Sequence, residues 1–427
     1  MIALKYGDGQ VTFKPPRHFE WQVLHKDVPF SLEPEHKVLN DAFVVLLEQL
    51  QEKLTPGQRI LVIVPDHTRR CRLEIFLFRL LALIEKQFSA HIEILIANGS
   101  HALQPKATIQ SLLGHEILER YSVTQHDSLD EAALSYVGET RFGTPIWLNR
   151  KVIEADLVLT VGGILYHYFA GFGGGPKMLL PGVAGYETIR INHRRTIDPE
   201  TGCFHKACYE GNIDTNPIFL DLKQVLDFVP DIISMQFALG TDGTIVRALA
   251  GPVLDVQREL VATIEDIYSL SLSEPGDMVV ASAGGFPSDV NLIQAHKSIH
   301  HAFQAIRPGG AVIILAECRE GIGSKTFMPY FEHPTAAQIG RALIRDYQIN
   351  GHTALTLKEK TESAKLFLVS MLDDHWVAKT GMIPAKSLDE AWRLASKELP
   401  NNACGYIMPA AHLHVPKKHH MLMQRNS

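Results

Sequence analysis

Three apolar runs of strand length, each ending in a polar or glycine-rich cluster, constrain this chain most. Arg59 to Val64 (RILVIV) runs into Pro65-Asp66-His67-Thr68-Arg69, and Ile92 to Ala97 runs into Asn98-Gly99-Ser100-His101. Asp156 to Val161 runs into a glycine-rich loop. Short, nearly continuous apolar runs read as strands buried on both faces. An amphipathic helix from Ala42 to Leu54, broken by Thr55-Pro56-Gly57, precedes the first run. A second helix, with apolar residues at Leu73, Phe76, Leu77, Leu80, Leu81 and Ile84, separates it from the next. Strands separated by helices pair in parallel, and ligand groups then gather at the carboxyl ends of the strands. All three clusters fall at such ends.

A second α/β unit begins near Gly276. Met278 to Ala281 reads as a strand, residues 282–287 as a loop, and Ser288 or Asp289 as the N-cap of a helix. That helix carries Leu292, Ile299, Phe303 and Ile306, after which Arg307-Pro308-Gly309-Gly310 turns the chain into a strand from Ala311 to Ala316. The expected fold class is therefore α/β, two α/β domains with largely parallel sheets. The boundary falls near 272, giving domains 1–272 and 273–399. The tail Pro416-Lys417-Lys418-His419-His420 is basic but brief, and reads as a solvated end.

Composition excludes several classes. With 41 Lys+Arg against 47 Asp+Glu, the net charge of −6 gives no reason to expect nucleic acid or an anionic membrane as partner. Leu157 to Pro176 carries no formal charge, but its six glycines, His167 and Pro176 suit a buried strand followed by a loop, not a membrane span. No signal peptide is evident, and five scattered cysteines without a CxxC pair argue for a reducing compartment. The cytoplasm is the expected location. The 21 histidines among 427 residues are an excess that points towards metal or acid–base chemistry.

The loop HYFAGFGGGPKMLLPG, from His167 to Gly182, lets a ligand approach the backbone closely. It is neither a P-loop, because Met178 follows Lys177, nor a GxGxxG motif, because Pro176 stands where the third glycine belongs. What remains is one lysine after Gly173-Gly174-Gly175-Pro176, with His167 before it and His193 after it. A plain surface loop is the alternative. His101 could simply cap a helix, and Asp66 could be an N-cap with Arg69 as its ion-pair partner. Gln294 and Lys297 share a helix face, which by default is solvated. His296 and His300 have the spacing of a helical metal pair but lack the Glu of HExxH, and the Cys203 to Cys208 segment lacks a second half-site.

Taken in order, PDHTR (65–69), GSH (99–101), HYFAGFGGGPK (167–177), INH (191–193) and QAHK (294–297) resemble the nickel-dependent lactate racemase family, over nearly the whole chain. The resemblance implies an active site in the cleft between the two domains, with residues 400–427 packing back on the first. It implies a nickel-pincer nucleotide (nickel pyridinium-3,5-bisthiocarboxylic acid mononucleotide) covalently attached at Lys177, with His193 completing the nickel coordination. Imidazole and sulfur donors both suit nickel. His101 and His167 become the two acid/base residues, Arg69 and Lys297 hold the substrate carboxylate or cofactor phosphate, and Asp66, Thr68 and Gln294 are positioning groups. The glycines Gly173, Gly174 and Gly175 give the cofactor room.

The activity so implied is racemisation or epimerisation at the hydroxyl-bearing C2 of a 2-hydroxy acid. Hydride transfer to the cofactor while a histidine takes the hydroxyl proton avoids a carbanion, and return to the other face inverts the centre. The partners implied are a small 2-hydroxy acid and the cofactor-maturation enzymes. Two departures stand out: Arg70 replaces a proline typical of the family, and Gly173 stands where many members carry Ser or Thr. An added cation at Arg70 suits a second substrate carboxylate, or faces solvent. Two other readings compete: a zinc-dependent hydrolase or lyase using His101, His167 and His193, and a non-catalytic hydroxy acid- or nucleotide-binding protein.

Overall fold

The computed structural model describes residues 1–26, 33–69, 71–229 and 231–418. Arg70 and the end of the basic tail, His419 and His420, lie outside the described residues. The chain divides into two compact units. One comprises Val28–Arg195 and Ala207–Ile267, and the other Met1–Asp27, Thr196–Lys206 and Tyr268–Ser427.

The first unit is built on a six-stranded sheet. From edge to edge it runs Ile245–Gly251, Ile232–Leu239, Leu157–Gly163, Arg59–Pro65, His91–Ala97 and Ser122–Gln125. All neighbours are parallel except the antiparallel pair of Ile232–Leu239 with Ile245–Gly251. In chain order this is the doubly wound arrangement, with its topological switch point between Arg59–Pro65 and Leu157–Gly163. Loops leaving the carboxyl ends of those two strands diverge, and a crevice forms where they part. Both strands are buried almost throughout, as their apolar runs require. The helix Glu35–Lys53 lies along Ile245–Gly251 and buries Leu39, Ala42, Phe43, Leu46 and Leu50, a helical stripe that joins the core containing Val62, Ile94 and Leu159.

The second unit has a six-stranded, wholly parallel sheet in the order Ile383–Ala385, Lys365–Val369, Ile306–Leu315, Gly276–Ser282, Cys404–Met408 and Glu20–Val23. Its strands alternate with period two. Val279, Ala281, Val312 and Ile314 enter one core, and Met278, Val280, Ile313 and Leu315 the other.

Several sequence expectations need correction here. The first 27 residues belong with the second unit, not with residues 28–272. The hairpin Ile2–Tyr6/Gly9–Phe13 buries Leu4 and Phe13 in that unit's core, and Glu20–Val23 pairs with Cys404–Met408. The segment 196–206 also joins it, because Ile197 is buried in its other core. Cys404–Met408, expected to pack back on the first unit, is a strand inside the second sheet. Pro416–Lys418, expected as a solvated end, pairs with Leu270–Leu272. The helix Leu292–Phe303 is capped by Asn291, whose side chain accepts from the Gln294 amide at 3.0 Å. Asp289 accepts instead from the amides of Gly7 (2.8 Å) and Glu317 (3.1 Å). Residues 307–310 bulge from a strand that already pairs at Ile306, and the turn falls earlier, at Gln304-Ala305.

Candidate active site

At the carboxyl end of Arg59–Pro65, Asp66 is 3% exposed and its carboxylate collects local donors. Thr68 donates to Asp66 Oδ1 from its hydroxyl (2.6 Å) and its amide (3.2 Å). Across the sheet end, His101 Nδ1 lies 2.5 Å from Asp66 Oδ2. A carboxylate only accepts, so His101 carries its proton on Nδ1 and presents the Nε2 lone pair. Burial pushes the Asp66 carboxyl up, but the hydrogen bond and charge of His101, with Arg69 and Thr68, hold it at about 2. The helix-capping alternatives for Asp66 and His101 fall away, while the charge of Arg69 does act on Asp66. No helix starts at Asp66, and the helix after His101, Lys106–Leu113, has Pro105 at its N-cap.

A set of amides locks the two turns together. Gln104 Oε1 lies 2.9 Å from His67 Nδ1, and Gln104 Nε2 donates to Asn98 Oδ1 at 2.8 Å. Asn98 Nδ2 donates to the carbonyl of His126 at 3.0 Å. His126 itself is buried, donates from Nε2 to the Ala184 carbonyl, and is held neutral by burial, which lowers its pKa. The Gly99 amide donates to the Gly182 carbonyl at 2.9 Å, so the His101 turn rests on the end of the lysine segment.

The glycine-rich loop leaves Leu157–Gly163 as expected of a strand followed by a loop. It folds into a small hairpin in which His167 pairs with Gly171. The Ala170 amide donates to His167 Nδ1 at 3.3 Å, which puts that ring's proton on Nε2. Gly174 and Gly175 have φ of +69° and +55°, and a Cβ would meet the Gly163 carbonyl oxygen at 2.6 Å or Gln257 at 2.7 Å. Only glycine closes this turn. Gly173 differs, since a Cβ there meets nothing nearer than 3.8 Å, which accounts for its departure from Ser or Thr at no steric cost.

The turn feeds a single 3₁₀ turn, Gly175–Met178, that buries Lys177. Its Nζ lies 5.1 Å from the centroid of the Phe169 ring. The rings of His167 and His193 approach the same phenyl at 4.4 and 5.0 Å, edge to face. Phe169 is thus the hub of three of the residues singled out from sequence. It stood inside the motif, but nothing in periodicity or charge marks a hub. Gln294 and Lys297 lie on the second unit's helix, where the Lys297 ammonium donates to Gln294 Oε1 at 2.7 Å.

These residues fit the implied group. A buried amine and an imidazole converge on one aromatic ring beside a turn that no Cβ could enter. Among the described residues no three His, Cys, Asp or Glu side chains form a metal-ligand cluster, so His101, His167 and His193 are not assembled as a zinc triad. Imidazoles offered singly suit a metal whose remaining donors come with its cofactor. His296, half of the suggested helical pair, is buried against the Thr356 hydroxyl at 3.0 Å, and burial lowers its pKa well below the ordinary value.

Comparison with known proteins agrees with this geometry. Residues 6–203 match the lactate racemase N-terminal domain, and residues 272–411 the lactate racemase C-terminal domain. The chain is 29% identical over 382 residues to the lactate racemase of Thermoanaerobacterium thermosaccharolyticum, covering 85% of each, and 27% identical over 361 residues to that of Lactiplantibacillus plantarum, covering 82% of each. The solved apoprotein of the T. thermosaccharolyticum enzyme superposes with a TM-score of 0.87 at 26% identity, covering 97% of this chain and 99% of that one. A crystal structure from Thermotoga maritima, at 15% identity, a TM-score of 0.66 and coverage of 90% and 98%, shares the fold alone. The protein is an isomerase of the racemase class. It belongs to the lactate racemase family. Among the described residues no helix is long and apolar enough to cross a membrane.

Proposed function

We propose that this chain inverts C2 of lactate or a related 2-hydroxy acid, with a nickel-pincer nucleotide joined to Lys177. One observation carries the reading: Lys177, His167 and His193 surround Phe169 at the switch point, with the Asp66–His101 pair beside them on the next strand ends. When bound, that nucleotide supplies a hydride acceptor, which an ordinary side chain cannot. His193 would be the protein's donor to its nickel.

The protein's own part is proton management. His101, held with its proton on Nδ1, offers Nε2 to take the substrate hydroxyl proton. His167, whose Nδ1 accepts from a backbone amide, offers a proton on Nε2. Inversion through a planar 2-keto acid requires one imidazole neutral, to receive the hydroxyl proton, and the other protonated, to return one, with the roles exchanging with the direction of reaction. Arg69 supplies a cation for the substrate carboxylate. The family names support lactate as substrate, and a cytoplasmic location with maturation enzymes as partners follows from the cofactor's need to be installed.

The test is intact mass of protein made with maturation enzymes, followed by a chiral assay against D- and L-2-hydroxy acids. A cofactor adduct lost in Lys177→Ala, together with inversion of lactate, is the expected result. An adduct that survives Lys177→Ala refutes the tether, and inversion of no hydroxy acid refutes the activity.

A further inference from the structure

We propose that Asn192 and Asp221 form a relay that fixes the proton of His193 on Nδ1 and so keeps its Nε2 lone pair available. The inference rests on the reading of His193 as the metal ligand. Asp221, on the short helix Pro217–Leu222, is fully buried. Its Oδ1 accepts from the Thr140 hydroxyl at 2.6 Å. Its Oδ2 accepts from the Thr144 hydroxyl (2.7 Å), Asn192 Nδ2 (2.9 Å) and Arg195 Nε (3.0 Å). Four donors, one of them a guanidinium, leave this carboxylate a single orientation.

An asparagine amide has two ends that can exchange places, so its direction must be decided by its partners. Asn192 is fully buried on the helix Tyr186–Arg194. One end faces two groups that only accept, the Asp221 carboxylate and the Ile218 carbonyl (3.3 Å), so that end is the NH₂. The oxygen must then face His193, whose Nδ1 lies 3.2 Å away. A carbonyl oxygen requires a proton on that nitrogen. The chain of inference therefore runs from the Asp221 charge, through the Asn192 amide, to the tautomer of the ligand. A carboxylate at the far end also polarises the amide and makes the imidazole a better donor to metal. Asn192 and Asp221 are positioning residues. No catalytic role is assigned to them.

The experiment uses the full-length chain and has two readouts. In the cofactor-free protein, nitrogen-isotope-labelled histidine NMR above the ordinary imidazole pKa reports the tautomer of His193, identified by its loss in His193→Gln. The parent is expected to show Nδ1–H alone, and Asn192→Ala to show a mixture or Nε2–H. Asp221→Asn, which preserves volume should the first variant fold poorly, is expected to give a mixture because the amide at 192 can then turn. A parent signal with the proton on Nε2, or an unchanged signal in both variants, overturns the relay. In cofactor-loaded protein, Asn192→Ala is expected to retain the Lys177 adduct mass. It should hold nickel roughly 10- to 100-fold more weakly, with kcat reduced and KM unchanged. If His193→Ala loses no nickel, the ligand reading fails, whereas the tautomer result bears on the relay alone, so the two failures are told apart.

Discussion

The turns carrying His101 and His167 follow parallel strands of one sheet, yet different forces hold them. His101 is fixed by charge: a buried carboxylate at about 2 faces its Nδ1, and Thr68 and Arg69 stabilise that carboxylate in turn. His167 is fixed by shape: a hairpin of two-residue strands, one backbone amide and aromatic edges set its ring. The difference teaches how one fold makes two imidazoles unequal. A carboxylate facing Nδ1 places the proton of one neutral ring there, and an amide N–H pointing at Nδ1 places the other's on Nε2, so the two rings present different nitrogens to a ligand.

The sharpest way to break this comparison is to remove each ring. His101→Ala and His167→Ala are each expected to lower kcat of the loaded enzyme by roughly 10²- to 10⁴-fold, read by chiral product analysis from either enantiomer. If one variant retains parental activity, that histidine is not an acid/base group. A smaller effect separates the orienting groups. Asp66→Asn removes one charge-assisted hydrogen bond and is expected to cost roughly 10- to 100-fold in kcat. It should cost nothing further in a His101→Ala background, because Asp66 acts through His101. A full additional loss in the double variant means that Asp66 contacts the substrate or cofactor.

Stability distinguishes the two turns in the same way. Gly174→Ala is expected to destabilise the first unit by about 1–3 kcal/mol, because it forces a Cβ onto the Gly163 carbonyl at positive φ. Gly173→Ser, one residue away, should change stability by less than about 0.5 kcal/mol, and denaturant unfolding of both variants measures the contrast. The charge-held turn should respond to acid through Asp66. The Asp66 carboxyl lies below its ordinary range when folded, so its stabilisation is present above that range and lost as pH falls towards about 2. The difference in Tm between parent and Asp66→Asn should shrink over that interval. A difference independent of pH contradicts the assigned charge.

Much of the site was legible before any fold was known, because its residues sit in short local motifs at the ends of apolar runs. Lys177 could be read from the glycines before it, and His101 from the turn after a strand. The support around them could not. Asp66 and His101 are 35 residues apart, and Asn192 and Asp221 are 29 apart. Neither spacing matches a helical or strand period. Glu20–Val23 and Cys404–Met408 escaped notice for a related reason. Strands of four and five residues carry too little alternation to announce which sheet they join.

The sequence by itself determined the parallel α/β class, the strands that build the first sheet's centre and the chemistry available at their carboxyl ends. Local hydrophobic pattern and backbone chemistry suffice for those. Only the tertiary structure decided the strand order that creates the switch point and the placement of Glu20–Val23 beside Cys404–Met408 in the second sheet. The partner of each imidazole was likewise settled only there. Those outcomes depend on which distant surfaces bury one another, and on hydrogen bonds whose direction is fixed through space by a neighbour's inability to donate.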